Sequence, residues 1–174
     1  MEQSARSGGE PGGPPRFLAD AMLGRLATWL RILGYDTEYS QAEDDLLVRR
    51  ACEERRILLT RDTGILRRRH LPSHLFIQSD QVKTQVRQVV RSLALDLSIP
   101  PARRCARCNV VLESRTKAEV TGRVPEFVWG HHDTFWGCPN CGRIYWAGSH
   151  RRRMDEAIRA LTGLDQAPSA ATTD

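Results

Sequence analysis

Residues 56–62 read Arg-Ile-Leu-Leu-Thr-Arg-Asp. An apolar run of this length between charged residues is typical of a short buried strand. Open α/β sheets bind their ligands at the carboxyl ends of the strands, which is where Thr60, Arg61 and Asp62 stand in this stretch. Asp62 is therefore the first candidate functional residue, and Thr60 and Arg61 beside it could orient a water molecule or a phosphate.

Strand and helix patterns alternate on both sides of this stretch. Strands are predicted at 16–20, 35–40, 57–60 and 75–77. Helical segments follow them at 21–33, 44–55, 63–69 and 80–95. Alternation with short connections predicts an α/β fold, in which a mostly parallel four-stranded sheet is covered by helices on both faces.

A carboxylate follows each predicted strand: Asp20, Asp44, Asp62 and Asp80. Because parallel strands end at one edge of a sheet, we expect these side chains to converge. Clustered carboxylates stay ionised when a divalent cation joins them, and Mg²⁺ or Mn²⁺ prefers oxygen ligands. Such an ion favours phosphodiester hydrolysis. Taken alone, Asp44 is also explained as a helix N-cap and Asp80 as a turn residue, and Asp45 could replace Asp44.

The chain changes character after the proline-containing segment 96–104. Two CxxC pairs follow, with 29 residues between them: Cys105 with Cys108, and Cys138 with Cys141. Two such pairs complete a closed tetrahedral site for a structural Zn²⁺, which supplies folding free energy to a segment with little core of its own. The fifth cysteine, Cys52, is predicted to be a small buried residue on a helix.

Basic and aromatic residues are frequent in and after this cysteine-rich segment. It is predicted to contain β-like stretches at 110–113, 127–129 and 143–146. A final helix is predicted at 149–163, and its first turn carries Arg151, Arg152 and Arg153, which oppose the helix dipole. Rings interleaved with arginines suit stacking of unpaired bases and binding of an RNA backbone. A small aromatic core and a solvated helix face are the alternatives.

Composition limits the class of protein. Of 174 residues, 40% are hydrophobic, which is enough for a globular chain. No run approaches the roughly 18 apolar residues of a membrane span, and no secretory signal is recognisable, so we expect a cytoplasmic protein without a membrane partner. Lysine and arginine exceed aspartate and glutamate by 26 to 21, which is compatible with a polyanionic partner. Residues 1–15 and 164–174 are expected to be flexible tails.

Four stretches resemble the Mut-seven C-terminal RNase domain family, a branch of PIN-like nucleases with a zinc ribbon. They are FLADAMLGRLATWLRILGYDT (17–37), DDLLVRRACEERRILLTRDTGIL (44–66), RCARCNVVL (104–112) and CPNCGRIYWAGSH (138–150). The resemblance implies a three-layer α/β/α PIN-like nuclease domain, placed at 16–98, and a zinc ribbon, placed at 103–148, ahead of the basic helix predicted at 149–163. It also implies that Asp20, Asp44 and Asp62 match the family's acidic residues, with Asp80 in the fourth position.

The sequence and the resemblance together predict a metal-dependent ribonuclease that hydrolyses single-stranded RNA. Mg²⁺ or Mn²⁺ would occupy the acidic site, while the ribbon, with Arg61 and the basic helix, would assist substrate binding. The alternatives are a non-catalytic RNA- or ribosome-binding adaptor with a degenerate core, and a zinc-held protein-interaction module.

Overall fold

The computed structural model describes residues 13–97 and 104–146 of the chain. It confirms the predicted α/β fold with a parallel four-stranded sheet in the order β2-β1-β3-β4. The strands are β1 (Phe17–Ala19), β2 (Thr37–Tyr39), β3 (Ile57–Thr60) and β4 (His74–Phe76). Within the described residues, no helix is both long and apolar enough to cross a bilayer.

Three helices cover the sheet. They are α1 (Gly24–Ile32), α2 (Asp44–Glu53) and α3 (Val82–Ser92). A 3₁₀ turn, Ala21–Leu23, precedes α1, and the short helical turn predicted at 63–69 is a 3₁₀ turn over Ile65–Arg67. The prediction for Cys52 is wrong, because α2 buries Leu47 and Ala51 and leaves Cys52 exposed.

The three layers follow from the alternation of side chains along the buried strands. Phe17 and Ala19 of β1 lie in a core with the apolar faces of α1 and α3. Leu18, between them in sequence, lies in a second core with Leu58 of β3 and Leu47 of α2. Successive strand residues point to opposite faces, so two apolar faces require two covering layers.

The connections that leave the two central strands diverge. The chain after β1 enters α1, which packs on one face of the sheet. The chain after β3 enters the turn Ile65–Arg67, and Ile65 is buried on the opposite face. Adjacent strands whose connections separate in this way leave a crevice at their carboxyl ends, where ligands bind in open α/β sheets.

The cysteine-rich segment forms a separate antiparallel sheet of β5 (Glu113–Arg115), β6 (Phe135–Gly137) and β7 (Ile144–Trp146). The strand predicted at 127–129 is wrong, since these residues belong to helix α4 (Glu126–His131). A short apolar run has no periodicity that separates strand from helix, and here Pro125 in the N-cap position starts a helix. The prediction at 110–113 is shifted, with one isolated bridge at Val111 before β5 begins.

The basic helix predicted at 149–163, with Arg151, Arg152 and Arg153, lies outside the described residues. The same is true of residues 1–12 and of the predicted tail at 164–174. The domain limits 16–98 and 103–148 stay predictions.

Candidate active site and metal centre

Asp20 joins the carboxyl ends of β1 and β3. Its carboxylate Oδ1 accepts a hydrogen bond from the Met22 amide (3.0 Å), and Oδ2 accepts one from the Arg61 amide (3.2 Å). Its own amide donates to the Leu59 carbonyl (3.1 Å), and only 6% of the residue is exposed. Asp20 is therefore held rigidly at the mouth of the crevice, beside the backbone that leads to Asp62.

Asp62 is exposed, and the turn that follows β3 orients its side chain. The hydroxyl of the buried Thr60 accepts a hydrogen bond from the Asp62 amide (2.9 Å). Asp62 Oδ1 in turn accepts one from the Gly64 amide (2.6 Å). This Asp-x-Gly turn is a local structure that aspartate and glycine favour, and it could have been recognised in the sequence.

Asp44 is the first residue of α2, and Glu43 takes the N-cap position instead. The Asp44 carboxylate pairs with the Arg68 guanidinium at 3.3 Å, and Asp45 pairs with the same guanidinium. Arg68 is one of three consecutive arginines, Arg67 to Arg69, and the sequence does not predict these two ion pairs. Asp80 lies exposed in the connection between β4 and α3.

The carboxylates have the right chemistry for Mg²⁺ or Mn²⁺, because both ions bind hard oxygen ligands. Within the described parts of the chain, however, the four cysteines are the one group of three or more His, Cys, Asp or Glu residues close enough to share an ion. Asp20 bonds the amide next to Asp62, while Asp44 pairs with Arg68. Convergence of all four carboxylates stays a prediction.

The four cysteines lie together as their spacing predicted. The sulfurs of Cys105, Cys108, Cys138 and Cys141 are all within 4.8 Å of one another. The Cys105 and Cys141 sulfurs are 3.7 Å apart. Tetrahedral zinc with Zn–S bonds of about 2.3 Å separates its sulfurs by about 3.8 Å, so the group could hold a zinc ion.

Both cysteine pairs use the same backbone turn, which we call a knuckle: residues 105–109 form the first and 138–142 the second. In each, the amide of the second cysteine donates to the sulfur of the first at 3.4 Å. The next residue, Asn109 or Gly142, has a φ of 65° or 70° and donates its amide to the carbonyl of the first cysteine. Asparagine and glycine are the residues that best tolerate this left-handed conformation.

The ionisation of the thiols also fits a bound cation. Burial alone would raise the pKa of Cys105, but hydrogen bonds from the Tyr145 hydroxyl (3.2 Å) and the Cys108 amide lower it to about 6. Desolvation and the neighbouring sulfurs of Cys141 and Cys105 raise the pKa of Cys108 to about 12. A positive charge among the four sulfurs favours their deprotonated forms, and Zn²⁺ would supply it.

A family model described as the Mut7-C RNAse domain matches residues 15–158. The chain belongs to the Mut7-C RNAse domain family. The resemblance found in the sequence is thereby confirmed, and the coarse prediction of a nuclease-type function is supported. No curated protein and no solved structure matches the chain. The matched range of this Mut7-C RNAse domain contains both the crevice of Asp20 and Asp62 and the four cysteines.

Proposed function

We propose that this Mut7-C RNAse domain is a metal-dependent ribonuclease that hydrolyses phosphodiester bonds of single-stranded RNA. One observation carries the proposal. Asp20 and Asp62 are far apart in sequence, yet Asp20 follows β1 and Asp62 comes two residues after the adjacent β3. Asp20 Oδ2 accepts a hydrogen bond from the amide of Arg61, next to Asp62, at the carboxyl ends where such sheets form a crevice. Ligands of open α/β sheets bind in such a crevice. The protein would act in the cytoplasm.

Asp20 and Asp62 would hold the Mg²⁺ or Mn²⁺ ion, with Asp44 and Asp80 as further carboxylates. When bound, the ion supplies an acidified water and stabilisation of charge on the phosphate. Thr60 keeps the Asp62 backbone in place through its buried hydroxyl. The Arg61 side chain, next to Asp62 in the sequence, would bind a phosphate oxygen of the substrate.

The ribbon offers a surface suited to unpaired bases. Phe127 of α4 is 70% exposed and stacks on His131, with ring centroids 4.1 Å apart. Trp129 is 39% exposed, and Lys117 Nζ lies 4.9 Å from the centroid of its ring. Exposed rings beside a cation bind single-stranded nucleic acid by stacking, which favours single-stranded RNA over a duplex as substrate. We propose that Arg151, Arg152 and Arg153 add contacts to the RNA backbone.

The test is cleavage of labelled single- and double-stranded RNA and DNA with Mg²⁺, Mn²⁺ or a chelator. We expect cleavage of single-stranded RNA that needs a divalent ion and falls about 100-fold or more in Asp62→Asn and in Asp20→Asn. Asp62 is exposed, so its variant should fold normally, which thermal unfolding would verify. Glu53→Gln is the control, since Glu53 is an exposed carboxylate at the last turn of α2 that pairs with Arg49.

Two results would overturn the proposal. Full activity in both Asp62→Asn and Asp20→Asn would show that the crevice is not the active site. Salt-sensitive RNA binding without cleavage under any divalent ion would identify an RNA-binding adaptor with a degenerate core. The ion pair between Asp44 and Arg68 is the structural feature that favours this second function.

A further inference from the structure

The first knuckle contacts the edge of the sheet opposite the crevice. Asn109, of which 5% is exposed, places its side-chain amide against the start of β2. Its Oδ1 accepts from the Thr37 amide (2.9 Å), and its Nδ2 donates to Asp36 (2.8 Å) and to Glu38 (3.0 Å). Thr37 opens a strand whereas Asp20 follows one, so in a parallel sheet these contacts lie at the amino edge.

A buried arginine makes a second contact from the core side. Arg31, in the last turn of α1, is 8% exposed. Its Nη1 donates to the carbonyls of Ala106 (3.2 Å) and Arg107 (2.9 Å), the two residues between the cysteines of the first knuckle. Its Nε donates to the Thr37 carbonyl (2.8 Å). One guanidinium therefore joins α1, β2 and the knuckle.

Asp36 connects this network to the amino end of the central strand β1. Its carboxylate pairs with Arg56 at 2.6 Å and with Arg104 at 3.6 Å, in addition to Asn109. The same Arg56 nitrogen donates to the Phe17 carbonyl of β1 (3.2 Å). Buried polar networks stabilise strongly when every member is satisfied and cost free energy when one partner is lost.

We propose that the first knuckle is a structural part of the nuclease core and that zinc loading controls the order of the sheet through Asn109 and Arg31. β2 is a three-residue edge strand, which is a weak element by itself. Asn109 of the knuckle accepts a hydrogen bond from the Thr37 amide, and Arg31 of α1 donates to the Thr37 carbonyl. This strand would otherwise leave both groups to water. Zinc holds the knuckle backbone in the conformation that makes these bonds. This role is independent of RNA binding and of the proposed reaction.

The test uses hydrogen exchange of the full chain with zinc and after chelation. Zinc removal is expected to speed exchange of the β1 and β2 amides by about 10-fold or more, because their local opening becomes easier. Asn109→Gly keeps the left-handed turn and all four cysteines but removes the side-chain amide. We expect it to retain one equivalent of zinc and still to show the faster exchange at β2.

The matched control is Gly142→Asn, which places the same residue type at the equivalent position of the second knuckle, where φ is 70°. It should retain zinc and leave exchange at β2 unchanged. Arg31→Gln tests the contact from the core side without altering the knuckle, and we expect zinc retention with faster exchange at β2. The proposal fails if chelation leaves exchange in the sheet unchanged, or if the zinc-loaded Asn109→Gly and Arg31→Gln proteins exchange like the wild type.

Discussion

Replacing Gly64 with alanine should stabilise the fold and slow the reaction in the same variant. Gly64 has φ −64° and ψ −41°, a conformation that alanine adopts without strain. Gly-to-Ala changes at such positions stabilise by about 0.4–1 kcal/mol, because the unfolded chain loses conformational freedom. For a chain of this size that corresponds to a rise in melting temperature of about 1–4 °C.

The new methyl group would press on the candidate catalytic carboxylate. Its carbon would lie 3.0 Å from Asp62 Oδ1, the oxygen that accepts the Gly64 amide at 2.6 Å. Such a carbon–oxygen contact is a few tenths of an ångström too short, and the exposed Asp62 side chain is the part that can move. Misplacing a reacting group by about 1 Å costs about 100-fold, so we expect kcat to fall by about 3- to 10-fold.

The assay is the cleavage rate of single-stranded RNA at saturating Mn²⁺, together with thermal unfolding. Gly130→Ala is the matched control, because Gly130 lies in α4 and a methyl group there meets no heavy atom within 4 Å. It should gain similar stability and keep the same kcat at saturating RNA, where weaker stacking on α4 would not change the rate. An unchanged rate in Gly64→Ala, or a lower melting temperature, would refute the reasoning about Asp62.

Two further predictions concern stability. Burial alone would raise the pKa of Asp36, but hydrogen bonds from Arg56 and Asn109 outweigh it and hold that pKa below its ordinary value. The stabilisation is therefore present above about pH 4 and is lost as pH falls through the folded-state pKa, so the melting temperature should drop in acid. Thermal unfolding across pH should show a weaker dependence for Asp36→Asn, and identical profiles would contradict this. Leu58→Ala should lower the free energy of unfolding, measured by chemical denaturation, by about 2–5 kcal/mol, because Leu58 of β3 is fully buried against α2. Leu46→Ala, at a residue that is 46% exposed, should change stability by about 0.5 kcal/mol or less, and similar losses in both would contradict the two-core packing.

The two edges of the sheet carry different groups. At the carboxyl edge, Asp20 bonds the amide next to Asp62, and Asp62 is exposed. At the amino edge, Asn109 donates to Asp36, and Arg31 donates to the knuckle that contains Asn109. We therefore expect substitutions at the carboxyl edge to change the cleavage rate more than the free energy of unfolding. Substitutions at the amino edge should change the free energy of unfolding more than the cleavage rate.

The spacing of residues along the chain was sufficient to predict most of the helices and strands and the four cysteines of the candidate zinc site. The strand at 57–60 and the helices beside it follow from apolar spacing, which depends only on neighbours in the chain. The two CxxC pairs specify their own turns, because each knuckle is closed by bonds within five residues. The run at 127–129 was an exception, because three apolar residues have no periodicity that separates strand from helix, and they lie in α4.

Strand order and docking depended on packing between segments that are distant in the chain. β3 lies beside β1, which brings the backbone before Asp62 to Asp20. The turn after β3 lies near the start of α2, so that Asp44 pairs with Arg68. Asn109 meets Thr37, and Arg31 meets the first knuckle, only because the ribbon packs on the amino edge. Local spacing carries no information about such contacts, because they are decided by which buried faces fit together in three dimensions.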